Sequence, residues 1–178
     1  MYFKVYEFKE DFEVSKLNNS VVDHCSKYTD PNMRKMSLFA YYKMLELVFE
    51  SYKMNLYDRE ISFEGKPHFT DYKMYFNISH EDNLVAIAIS DDHEVGIDLA
   101  RMVTNLDLAK KILSKDEYSD FEKAIDKEDY IARKWAMKEA YSKKTGEGLS
   151  DAIFRTTINT KISKVTYYDK QYYLCISE

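Results

Sequence analysis

The sequence predicts a mixed α+β fold, on three observations. The N-terminal MYFKVYEFKEDFEV alternates apolar and polar residues with the period of a strand, whereas the stretch Asn32–Tyr52 repeats apolar residues at the three- and four-residue spacing of a helix. The composition, with 16 Tyr and 10 Phe against only 4 Gly and 2 Pro, describes a folded, aromatic-rich chain without low-complexity linkers.

In chain order, residues 1–8 read as a strand. Asp30-Pro31 marks the entry of the Asn32–Tyr52 helix, whose inward positions are Met36, Phe39, Ala40, Leu45, Leu47 and Phe49. Ile61–Phe63 is a short strand before Gly65-Lys66-Pro67, where glycine and proline enforce a turn around a central lysine. Tyr75–Ile78 and Leu84–Ile89 are strands flanking Ser79-His80-Glu81-Asp82, and the unbroken apolar run LVAIAI reads as buried on both faces. SDDHE then turns the chain into the strand VGIDLA, Val95–Ala100, as a hairpin. From Asp107 to Tyr130 the sequence is charged and helical, with Leu108, Ile112, Leu113, Phe121 and Ile125 facing inward. The helix containing Trp135 follows directly and stops near Thr145-Gly146. Two strands close the chain, Thr156–Ile162 and Tyr172–Ile176, with Asp169-Lys170 as the turn.

At 178 residues the chain fits one domain, or two small lobes sharing a core, and can bury about 70% of its unfolded surface. Cys25 and Cys175 show no metal-ligand spacing and are expected as two reduced thiols, which makes the cytoplasm the default location. The N-terminus lacks the order of a secretory signal, and no stretch approaches the 18 apolar residues of a membrane span. A net charge of −5 argues against a nucleic-acid surface, so any phosphate site must be a local pocket.

Two acids stand out. Along the helix the i, i+4 row runs Ile131, Trp135, Glu139, Lys143, so an apolar stripe turns charged at the edge of the core. In VGIDLA, Val95, Ile97 and Leu99 share one face, and Gly96, Asp98 and Ala100 share the other, which places an aspartate mid-strand where it is disfavoured. Each has an ordinary explanation: Glu139 and Lys143 as a surface helix pair worth about 0.2–0.5 kcal/mol, Asp98 as an edge-strand acid or a satisfied core carboxylate. Together they suggest a hard cation held by two carboxylates, beside a lysine for an anionic substrate.

With these residues in view, the chain resembles the 4'-phosphopantetheinyl transferases, specifically the larger single-chain type that activates peptide and polyketide synthetases. The resemblance runs from the Arg34 region to about Leu149, in three ordered blocks: GKP at Gly65–Pro67 followed by FNISH at Phe76–His80, VGID at Val95–Asp98, and WAMKEAYSKKTGEGL at Trp135–Leu149. It implies transfer of the phosphopantetheine arm of coenzyme A to a serine of an acyl or peptidyl carrier protein. It also implies two similar α+β lobes related by a pseudo-twofold axis, residues 1–95 and 96–178, with coenzyme A in the cleft between them and a monomer sufficing. Asp98 and Glu139 match the family's magnesium ligands and Lys143 its phosphate-contacting lysine. Lys66 matches the GKP lysine on the adenosine-side phosphates, and Ser79 and His80 match the ISH pair. The catalytic set is thus Asp98, Glu139 and Lys143; the base for the acceptor serine is either Glu139 or a metal-bound water beside it. Arg34 and Lys35 are candidates for the 3'-phosphate. One departure stands out: many members carry a second acid two residues after the aspartate, where this chain has Ala100. The rival readings are a non-catalytic coenzyme A or carrier-protein binding relative with a decayed metal site, and an unrelated nucleotide-phosphate-binding α+β protein.

Overall fold

A computed structural model describes residues 1–101, 105–158 and 160–178. The chain is mixed α+β and divides into two units, one of Met1–Ile78 with Asp82–Val95, the other of Ser79–Glu81 with Gly96–Glu178. No helix among the described residues is long and apolar enough to cross a membrane.

The first unit contains β1 (Tyr2–Glu7), α1 (Asn19–Ser26), α2 (Pro31–Tyr52), β2 (Ile61–Ser62), β3 (His68–Phe69), the start of β4 (Tyr75–Glu81) and β5 (Leu84–Ser90). Its main sheet has the order β1-β5-β4, with β1 and β5 antiparallel in the register Val5↔Ala86. As the central strand, β5 is buried at every position, as its unbroken apolar run requires. The Asp30 side chain caps α2 by accepting from the Asn32 N–H, with Pro31 in the first turn where its missing N–H costs nothing. Phe39, Ala40, Leu45 and Leu47 enter the core as expected, but Phe49 is half exposed near the end of the helix. Helix α1, which has no counterpart among the expected elements, is capped by Asn18.

The sequence expectation put Ser79-His80-Glu81-Asp82 between strands; instead β4 continues through Glu81. Asp82 takes a positive φ of 52° in a two-residue turn with Asn83, a geometry these residues tolerate well. A second difference is larger. The expected hairpin from LVAIAI to VGIDLA does not form, because β5 already has β1 and β4 on its two edges, and the VGIDLA strand, β6 (Gly96–Arg101), pairs with the C-terminal strand instead.

The second unit contains β6, α3 (Ala109–Ile112), α4 (Lys115–Lys123), α5 (Lys127–Thr145), α6 (Asp151–Arg155), β7 (Lys161–Tyr167) and β8 (Lys170–Ser177), the strands in the antiparallel order β6-β8-β7. The charged segment expected as one helix is interrupted twice. Ser114 and Glu117 form a reciprocal capping box that starts α4, and Asp126 caps α5, so Ile125 lies in the gap and is fully exposed rather than inward. α5 ends at Thr145 with Gly146 at φ 74°, the left-handed C-cap that glycine favours. In the final hairpin Tyr168 and Asp169 form the turn with positive φ, one residue earlier than expected. The first strand begins at Lys161 rather than Thr156, Asn159 lying outside the described residues. Cys25 and Cys175 are both free and buried.

Candidate functional site

Within the second unit, β6 lies directly under α5, and Gly96 explains how closely. A Cβ at this position would sit 1.9 Å from the Ala140 carbonyl oxygen and 2.6 Å from the Lys144 nitrogen, so only glycine admits the helix there. The strand face of Gly96, Asp98 and Ala100 is thereby turned toward α5, and Ala100 packs with Ala132, Ala136, Met137, Ala140 and Tyr173.

Asp98 consequently meets Lys143, two turns of helix from Ala136. Lys143 Nζ donates to Asp98 Oδ1 at 2.7 Å and to Ser79 Oγ at 3.0 Å, while Ser79 Oγ donates to the same Oδ1 at 3.1 Å. The Leu99 N–H donates to Ser79 Oγ at 3.2 Å, which fixes the hydroxyl. Asp98 and Ser79 are each 5% exposed. Asp98 Oδ2 is buried and has no hydrogen-bond partner among the described residues, an expensive state for a carboxylate oxygen unless something positive completes it.

Glu139 lies one turn before Lys143 on α5 and is half-buried. Burial pushes its carboxyl pKa up; Lys143 pulls the other way, and the negative charge of Asp98 adds to the rise. The two acids therefore feel each other. His80 is exposed as a residue, yet the crowding of protein around its imidazole, then the charge of Lys143, hold its pKa below the usual value against a smaller opposing effect of Glu81. Ser79, Asp98 and Lys143 thus form one bonded cluster, with Glu139 and His80 within its electrostatic reach. Lys66 belongs to the first unit, where its ammonium pairs with Glu94 and donates to the Val95 carbonyl at 2.8 Å. Arg34 donates to the Ser26 and Tyr28 carbonyls, and Lys35 pairs with Glu10 at 3.0 Å.

No group of three or more His, Cys, Asp or Glu side chains with metal-binding geometry occurs among the described residues. The donor set still fits an oxygen-seeking divalent cation that keeps waters and substrate oxygens in its shell: one buried carboxylate oxygen lacks a partner, and a second carboxylate nearby is raised in pKa partly by the first. Ala100 supplies no ligand, since its methyl belongs to the apolar packing under α5.

Sequence reasoning missed a second acid–lysine pair, between Glu117 of α4 and Lys138 of α5. Lys138 is fully buried, with Nζ 2.9 Å from Glu117 Oε2 and donating to the carbonyls of Ile153, Phe154 and Thr156 at 3.2, 3.1 and 2.6 Å. Two signals were available: the Ser114-x-x-Glu117 capping pattern, and a lysine seven residues after Ile131 on the inward stripe.

Comparison with known proteins shows what these residues are similar to. Residues 94–176 match the family model described as the 4'-phosphopantetheinyl transferase superfamily. The 4'-phosphopantetheinyl transferase ffp of Bacillus subtilis is 36% identical over 110 residues, covering 58% of this chain and 49% of its own length. The 4'-phosphopantetheinyl transferase Sfp of Bacillus subtilis strain 168 is 42% identical over 91 residues, 48% of this chain and 40% of its own length. The 4'-phosphopantetheinyl transferase gsp of Aneurinibacillus migulanus is 29% identical over 155 residues, 75% of this chain and 65% of its own length. The chain therefore spans about half the length of the Bacillus subtilis relatives it matches.

Proposed function

From the match of residues 94–176 to the 4'-phosphopantetheinyl transferase superfamily model, we propose that this chain transfers the 4'-phosphopantetheine arm of coenzyme A to a serine of an apo acyl or peptidyl carrier protein, releasing adenosine 3',5'-bisphosphate. The observation that carries the reading is the bonded cluster of Ser79, Asp98 and Lys143, with Asp98 Oδ2 left without a partner.

In this reading the acceptor serine oxygen forms a bond to the phosphorus that bears the pantetheine arm, and the bond from that phosphorus to the phosphate left on adenosine breaks. Asp98 and Glu139 would hold a magnesium ion, which when bound offsets the charge of the pyrophosphate. Lys143 directs its ammonium toward the phosphates while Asp98 and Ser79 hold its position. The serine proton goes to Glu139 or to a metal-bound water beside it. His80 and Lys66 bind coenzyme A, Lys66 on the adenosine side. The two-lobed, pseudo-twofold arrangement with its coenzyme A cleft, a monomeric state and a cytoplasmic location belong to the same reading.

One observation favours a second reading, a non-catalytic relative that binds coenzyme A or a carrier protein: Ala100 is packed among apolar side chains at the position of the family's additional acid. Incubation of the chain with coenzyme A, magnesium and apo carrier proteins, followed by intact mass, separates the two. Added mass equal to the phosphopantetheine arm supports transfer; coenzyme A binding with no added mass on fatty-acid, polyketide and peptide carriers supports the binding relative.

A further inference from the structure

Lys66 already has an anionic partner. Its side chain is 16% exposed and pairs through Nζ with Glu94, whose side chain is 48% exposed. The same Nζ is anchored on the Val95 carbonyl at 2.8 Å. The turn that presents the lysine depends on Gly65 at φ 72°, so the stem of Lys66 is fixed by the turn and its head by the Val95 carbonyl. Glu94 is the more exposed member of the pair and meets Lys66 through one carboxylate oxygen. A phosphate approaching Lys66 meets a carboxylate that presents the same oxygen chemistry with less charge.

We propose that Glu94 is an affinity-setting residue for coenzyme A, a built-in competitor that occupies Lys66 in the free protein and is displaced when a phosphate of the coenzyme binds. The inference rests on the coenzyme-binding role given to Lys66 above and adds the residue that opposes it. Two effects act in one direction. The Lys66–Glu94 pair is given up or shared on binding, and any Glu94 charge that stays near the coenzyme repels its phosphates. An ion pair this exposed is weak, so the competition tunes affinity without abolishing it. The chain would hold coenzyme A less tightly than the pocket's cations alone allow, which favours release of a product carrying the same phosphates.

The test is calorimetric titration of coenzyme A into the parent chain, Glu94→Gln, Lys66→Ala and the double variant. Glu94→Gln keeps the shape and hydrogen-bonding capacity of the side chain while removing its charge. The expected result is that Glu94→Gln lowers Kd by about threefold, the scale of an exposed pair, and that the same substitution in the Lys66→Ala background changes Kd by much less. Unchanged or weaker binding in Glu94→Gln overturns the inference and makes Glu94 a support for Lys66. Equal tightening with and without Lys66 also overturns it, because the carboxylate would then act by general repulsion. If the parent binds coenzyme A and Glu94→Gln is no tighter, only this inference falls; if no variant binds coenzyme A, the proposed function falls with it.

Discussion

Helix α5 supplies the lysines of two acid–lysine pairs, a little over one turn apart, and the pairs are built in opposite ways. At Glu117–Lys138 both side chains are almost fully enclosed, and the lysine head is surrounded by a carboxylate and three carbonyls. The Ser114 N–H donates to Glu117 Oε2 at 3.0 Å, and Lys134 lies 3.3 Å from Oε1. At Asp98–Lys143 the lysine is 29% exposed, and Asp98 Oδ2 has no hydrogen-bond partner among the described residues. The first pair is closed off between α4, α5 and α6, and Lys134 stands as a counter-charge beside Glu117 Oε1, which has no hydrogen-bond partner of its own among the described residues. The second keeps charge in reserve, which is the condition for binding something from outside.

The largest effect expected from this contrast is on stability. Lys138→Ala leaves the Glu117 carboxylate buried without its partner and should lower unfolding free energy by about 3–5 kcal/mol. Asp98→Asn should cost far less. Urea unfolding of the two variants measures the difference, and equal losses would erase the distinction between the pairs.

Function should respond in the reverse order. Asp98→Ala and Glu139→Ala should each reduce arm transfer at least about tenfold, equivalent to roughly 1.4 kcal/mol of barrier, while the folded circular dichroism spectrum is kept. Near-parental turnover in both would remove the acids from the chemistry.

A smaller effect follows from pH. Burial alone would raise the Glu117 carboxyl, but the Ser114 N–H, Lys138 and Lys134 together outweigh it and hold the pKa below the ordinary carboxylate value. A depressed folded pKa gives stability that is fully present above the unfolded value, about 4.3, and is lost as pH falls through the folded value. The stability gap between the parent and Glu117→Gln should therefore be constant near neutrality and shrink below about pH 4. A gap that widens with acid would contradict the direction of the shift.

The smallest expected change is in substrate affinity. Lys143→Ala should raise the apparent constant for coenzyme A several-fold, as loss of one charge-assisted hydrogen bond would, since other cations share the phosphates. Steady-state kinetics with coenzyme A and with dephospho-coenzyme A would show whether the 3'-phosphate is involved.

How much of this could be read from the chain depended on how local the cause was. The placement of Asp98, Gly96 and Ala100 on one strand face, the entry of α2 at Asp30-Pro31 and the stop of α5 at Gly146 follow from neighbouring residues, and all are present. The partner of β6 depends on β8, more than seventy residues later in the chain, so local alternation pointed to the wrong hairpin. The breaks around α4 are legible in Ser114, Glu117 and Asp126, where capping chemistry overrides charge periodicity. Lys138 was hidden because its partners are backbone carbonyls beyond the helix, which residue types do not announce. Asp98, Lys143 and Ser79 each stand out in the sequence, whereas their bonding to one another, and Asp98 Oδ2 without a hydrogen-bond partner among the described residues, emerge only from the packing.

The most direct measurement is the intact mass of an apo carrier protein after incubation with coenzyme A, magnesium and either the parent chain or Asp98→Asn, both verified as folded. The account expects the carrier to gain the phosphopantetheine arm with the parent and to gain it at least about tenfold more slowly with Asp98→Asn. No arm on any carrier with the parent, or equal rates from the two chains, would contradict it.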